Sequence, residues 1–136
     1  MTTAQTNKYD LEDRLIEFAV RIITLSEQLP KSFAAKHLGG QIVRSGTAPS
    51  LNYGEAQAAE SRADFIHKMK ISLKELRETM VCLKIFRKKG YFTPEKLESI
   101  LKENNELISI FVKSIETAKA NDSKSKAANS EGLKEV

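Results

Sequence analysis

The side chains able to do chemistry in this 136-residue chain gather between Arg44 and Lys89. Lys70, Lys74, Arg77, Lys84 and Lys88 fall at offsets of 0, 4, 7, 14 and 18, which sets them along one face of a helix. Arg87 adds a further cation to the same segment. A row of ammonium and guanidinium groups is suited to phosphate contact, with the salt dependence that counterion release brings. The same row is what the solvated face of an amphipathic helix displays when it is partly paired with Glu75, Glu78 or acids of a neighbouring helix. From Arg62 to Lys89 nine bases stand against three acids, so this segment more than accounts for the net charge of +4.

A second constellation is Arg44, Glu55, Lys74, Glu75 and Glu78. It reads as an ion-pair network that sets helix register or subunit contacts, a role such networks fill more dependably than they add stability. Paired carboxylates with no nucleophile or orienting group beside them are a poor basis for catalysis, and the expectation is that the protein is not an enzyme. Asp64-x-x-His67 has the form of the carboxylate-x-x-histidine element of di-iron bundles, which need that element twice. The other histidine, His37, has Ala34 three residues before it. Asp64 is therefore read as a helix cap and His67 as a surface residue. Leu38-Gly39-Gly40-Gln41 lacks the lysine and the flanking strand of a phosphate loop. No metal or cofactor is expected. Tyr53, Tyr91 and Phe92 are the aromatics expected at the surface. The last two lie beside Arg87, Lys88 and Lys89, either stacking on unpaired bases or plugging an end of the fold.

These groups need helices to position them, and the apolar spacing supplies four. Leu11, Leu15, Phe18, Ile22, Leu25 and Leu29 recur at alternating intervals of four and three, the stripe of an amphipathic helix that opens at an Asp10 N-cap and ends at Pro30. A second helix is expected from about Ser32 to Glu60. Its later half carries Gly46, Ser50, Gly54 and Ala58 as a ridge open to close backbone approach, and Pro49 is expected to kink or break it near 45–49. Ser61 is a one-residue hinge whose hydroxyl caps the third helix, with Asp64 as the acidic half of a capping box. Ile66, Met69, Leu73, Leu76, Met80 and Leu83 then form the next stripe, and Gly90 stops it. Thr93-Pro94-Glu95 is a helix start. Leu97, Leu101, Asn104, Ile108, Phe111 and Ile115 follow, with Asn104 interrupting the stripe to fix register or to sit at a bundle edge.

No segment alternates with period two, so the fold class is all-α, an antiparallel up-down-up-down four-helix bundle. The expected organisation is a flexible N-terminus over 1–9, the bundle over 10–120 and a disordered polar tail over 121–136. Cys82 is the one cysteine, it lies within an apolar stripe, and it reads as inert packing in a reducing compartment. No apolar run approaches the roughly 20 residues of a membrane span, and the N-terminus lacks a signal-peptide core. The expected location is cytoplasmic.

Four motifs carry a family resemblance: Leu29-Pro30-Lys31; Gln41-Ile-Val-Arg44-Ser45; Asn52-Tyr53-x-Glu55-Ala56; and Ser61-x-x-Asp64-Phe65-Ile-x-Lys68-x-x-Ile-x-x-Lys74-Glu75-x-x-Glu78-Thr79. Through them the chain, over roughly Leu11 to Ile115, resembles the four-helix bundle proteins named after intervening sequences in bacterial 23S ribosomal RNA genes. These in turn are similar to the accessory variability protein of diversity-generating retroelements. The resemblance implies a left-handed bundle assembled as a homopentameric barrel with a basic surface. From the retroelement side it implies binding of RNA or DNA and of a reverse transcriptase. The functional expectation is a non-enzymatic oligomeric scaffold that binds nucleic acid through Lys70, Lys74, Arg77, Lys84, Arg87 and Lys88. In it, Arg44, Asn52, Glu55, Ser61, Asp64, Glu75 and Glu78 serve structure and interfaces. The alternative is a protein-interaction module holding an acidic or reverse-transcriptase-like partner.

Overall fold

Four helices follow one another with short turns: α1 (Lys8–Ser26), α2 (Phe33–Gln57), α3 (Arg62–Lys89) and α4 (Pro94–Lys134). The computed structural model describes residues 8–134. Contacts between successive helices run in opposite senses along the sequence. Ile22 of α1 lies against Gly46 of α2 and Leu29 against Gly39, Ser45 of α2 meets Thr79 of α3, and Arg14 of α1 reaches Glu103 of α4. The arrangement is the expected antiparallel bundle. Sequential neighbours share broad interfaces, while α1 and α4 touch more sparsely.

Most of the core is what the stripes predict, but Ile100 and Leu107 of α4 are buried where Leu101 and Ile108 were expected, and Ile66, Leu73 and Met80 of α3 are only partly buried. Leu15, Phe18, Ile22 and Leu25 of α1 pack with Ile42 and Ala56 of α2, Met69, Leu76, Leu83 and Phe86 of α3, and Leu97, Leu107, Phe111 and Ile115 of α4. Tyr53 departs from the expectation of exposure. It is 4% exposed and its ring meets Phe111 edge-on at a centroid distance of 6.1 Å, because position 53 continues the stripe of Ile42, Gly46 and Pro49. Tyr91 and Phe92 are half-buried against Phe86, at 5.9 and 6.1 Å, so they close the end of the core.

Helix boundaries follow side-chain chemistry. The Ser32 hydroxyl accepts the Ala35 amide at 3.2 Å and opens α2. The Ser61 hydroxyl accepts the Asp64 amide at 3.0 Å and opens α3. No bond returns from the Ser61 amide to the Asp64 carboxylate among the described residues, so Asp64 favours the helix start through its charge alone. Gly90 takes φ of 81°, a left-handed conformation that glycine adopts without steric penalty. Its amide and that of Tyr91 cap the carbonyls of Arg87 and Phe86. The Thr93 hydroxyl accepts the Lys96 amide at 3.3 Å and opens α4.

Several expected boundaries move. α1 begins at Lys8, so Asp10 lies inside the first turn and does not cap it, and α1 ends at Ser26, before Pro30. The expected flexible stretch 1–9 falls mostly outside the described residues. α2 ends at Gln57, which makes the link to α3 four residues long, not one. α2 also runs unbroken through Pro49, which is buried. Proline removes one amide and crowds the carbonyl four residues earlier, but packing on both sides of the helix holds it together. α4 continues past residue 120 to Lys134, where a disordered tail was expected. Extending an established helix costs little per residue, no proline intervenes, and Asp122 pairs with Lys126 one turn on at 3.2 Å.

Candidate nucleic-acid interface

α3 turns its Met69, Ser72, Leu76, Thr79 and Leu83 side inward, which leaves the positions on the opposite side of the helix facing solvent. Lys70, Lys74, Arg77, Lys84 and Lys88 are all exposed there. From Lys70 to Lys88 the face extends about 27 Å at the helical rise. Among the described residues Lys70, Arg77, Lys84 and Lys88 have no salt-bridge partner. Lys74 lies 4.0 Å from a Glu75 carboxylate already engaged by Arg44. Arg87 is exposed but sits toward α4, lining a crevice with Glu95 and Glu98. It is therefore set apart from the row of five.

One contributor came from beyond the reach of periodicity. Lys119 of α4 stands against Lys70, and the repulsion between the two ammonium groups lowers the pKa of Lys70. The pairing unites residues on two helices, so spacing along either helix carried no sign of it. It extends the basic face onto α4.

On the other flank of α3 the ion-pair network forms in part as expected. Arg44 of α2 donates to both Glu75 oxygens, at 3.2 and 3.1 Å, also binds Glu78, and is held by Gln41 at 3.3 Å. Glu75 is the buried member, with its side chain 7% exposed against 54% for Arg44. Glu55 is not part of this cluster: it pairs with Lys68 at 3.0 Å, nearer the hairpin turn. Asn52 and Asp64 are half-buried. Beside the Arg44 cluster the hydroxyls of Ser45 and Thr79 meet at 2.8 Å in the interior. Small residues let the two helices approach here, and the network consumes the acids nearest the basic face.

One further feature fixes this geometry. Asn104 is fully buried, and its amide, oriented to satisfy both ends, donates to the Leu76 carbonyl at 3.1 Å and accepts from the Met80 amide at 3.2 Å. α4 is thereby locked in register on the backbone of α3, which is the register role and not the edge position. Cys82 is buried. Burial, and then the charge of Glu78, push its thiol pKa up, with Arg44 opposing.

Among the described residues no group of three or more His, Cys, Asp or Glu side chains is placed to hold a metal. His67 is exposed. A hollow lies at the hairpin end, lined by Gln57, Glu60, Ser61, Arg62, Ser114 and Thr117 among others. No helix among the described residues is long and apolar enough to cross a membrane.

Four antiparallel helices around one apolar core, with exposed cations along the outer side of α3, define a small helical-bundle protein. The chain belongs to the family of 23S rRNA-intervening sequence proteins, which matches over residues 7–113. Among solved structures it is similar to a protein of unknown function from the S23 ribosomal protein family of Bacteroides thetaiotaomicron VPI-5482. The two are 40% identical with a TM-score of 0.72, over 77% of this chain and 97% of that one. A comparison with curated proteins finds no match.

Proposed function

We propose that the protein is a non-enzymatic, self-associating scaffold that binds RNA or DNA through the outward face of α3. The observation that carries this reading is the row of five exposed cations spanning about 27 Å, four of them without an acidic partner among the described residues. A merely solvated face would be expected to interleave acids with bases and pair them at i,i+4. Here two of the three acids of α3, Glu75 and Glu78, point toward α2 and are taken up by Arg44. The names of the family and of the Bacteroides structure, 23S rRNA-intervening sequence and S23 ribosomal protein, lean toward RNA.

Self-association is supported by a second stripe on α1. Ile16, Val20 and Ile23 recur at i, i+4 and i+7 and are exposed, and Leu51 of α2 is exposed as well. Exposed apolar residues in a row mark a contact surface more often than isolated ones do. Copies joined there would multiply the α3 faces around one assembly, a ring of five by family resemblance.

The test is charge reversal of Lys70, Lys74 and Arg77 together, which lie outside the core. Retention of RNA or DNA should be abolished while helicity and assembly size stay unchanged. For the unaltered protein, log affinity for a single strand should fall with log salt at a slope of about −3.5 per protomer if all five cations make contact. Retention that survives the triple reversal would sink the proposal. A stoichiometric protein partner that remains after nuclease treatment would favour the interaction-module reading.

A further inference from the structure

The basic face of α3 carries an apolar residue in its middle. Lys70, Lys74, Arg77, Val81, Lys84 and Lys88 follow one another at intervals of 4, 3, 4, 3 and 4, so Val81 holds the one position of the row where no cation stands. Val81 is 57% exposed, and Ile85, one turn further, is 41% exposed. Arg77, Lys84 and Lys88 are the i−4, i+3 and i+7 neighbours of Val81, which therefore lies within the cationic field. Neither residue belongs to the core.

We infer that this face takes unpaired nucleic acid in preference to duplex, with the cations on the phosphates and Val81 and Ile85 against the exposed faces of bases. The inference rests on the nucleic-acid reading of the same face. A duplex shields its base faces by stacking and presents phosphates at the surface, so an apolar residue between phosphate contacts gains nothing from it. An unpaired strand exposes base faces that an apolar side chain can cover. The composition also disfavours a protein as occupant. The buried centres of protein interfaces are depleted in lysine, whereas four of the six positions in this row are lysines, the point-charge residue of phosphate contact.

The test is fluorescence anisotropy of the intact protein with a labelled thymidine homopolymer and with a mixed-sequence duplex of equal length, each titrated across a salt series. The unaltered protein should bind the homopolymer several-fold tighter than the duplex. The double substitution V81S/I85S, at exposed positions, should lose roughly tenfold on the homopolymer and less than twofold on the duplex, with the salt slope unchanged. Completing the row with V81K should raise duplex affinity and steepen the duplex slope by about 0.9. Equal or tighter duplex binding by the unaltered protein would overturn the inference and leave the nucleic-acid reading standing. So would equal losses on both ligands in V81S/I85S. Absence of binding to either oligonucleotide at low salt would overturn both.

Discussion

A methyl group added to Gly46 would meet Cγ2 of Ile22 at 2.7 Å, whereas one added to Gly54, two turns along the same helix, would meet nothing within 4 Å. The two glycines therefore predict opposite outcomes. Gly46→Ala should destabilise the fold by about 1–3 kcal/mol through overpacking against Cβ, Cγ1 and Cγ2 of Ile22. Gly54→Ala should stabilise it by up to about 1 kcal/mol, because alanine restricts the unfolded chain and favours the helix. Urea unfolding of the two variants measures both signs. At Cys82, burial and the nearby Glu78 carboxylate raise the thiol pKa. The native protein should therefore react slowly with a thiol reagent at pH 8 and promptly once unfolded, since the thiolate is the reactive form. Fast reaction in the native state would show that the α2–α3 seam opens.

Between elements, the register of α2 on α3 and of α3 on α4 is held by polar contacts laid across apolar packing. Asn104 binds a carbonyl and an amide of α3 that are themselves one helical turn apart. Asn104→Ala should cost about 1–3 kcal/mol, and Asn104→Leu should cost less because it refills the volume and leaves the two α3 groups able to pair with each other. Across the α2–α3 seam, Arg44→Ala leaves the buried Glu75 carboxylate without its main partner. Because Arg44 itself is largely exposed, the cost should be discounted to about 1–2 kcal/mol. Glu75→Gln in the Arg44→Ala background should recover stability, as it removes the orphaned charge. Thermal unfolding of the single and double variants would show the coupling, and strict additivity of the two changes would contradict it.

For the whole molecule, the distribution of surface chemistry separates two faces. The outer side of α3 is basic, while α1 exposes Ile16, Val20 and Ile23. Replacing Ile16 and Val20 by glutamate should convert an assembled protein to monomers in light scattering and leave the α-helical circular dichroism intact, since neither residue is in the core. If assembly is needed for tight binding, the same variant should also lose nucleic-acid affinity through lost multivalency with α3 untouched. An unchanged particle mass would remove α1 as the assembly surface.

Periodicity alone sufficed for the helices and most of the core. Alternating steps of four and three residues place Leu15, Phe18, Ile22, Leu76, Leu83 and Phe111 inside whichever partner each helix finds, because burial of an apolar stripe is a property of one helix. Capping by Ser61, the stop at Gly90 and the start at Thr93 were legible for the same local reason. What followed from packing was not. Pro49 reads as a helix breaker in isolation, and only flanking contacts keep α2 whole. Tyr53 reads as a surface aromatic until Phe111 of α4 is brought against it. The candidate site divides in the same way. The row of cations is written in the spacing of α3. The approach of Lys119 to Lys70, the capture of Glu75 and Glu78 by Arg44, and the exposure of Val81 depend on how α2 and α4 lie along α3, and contacts between helices are set by tertiary packing, not by local sequence.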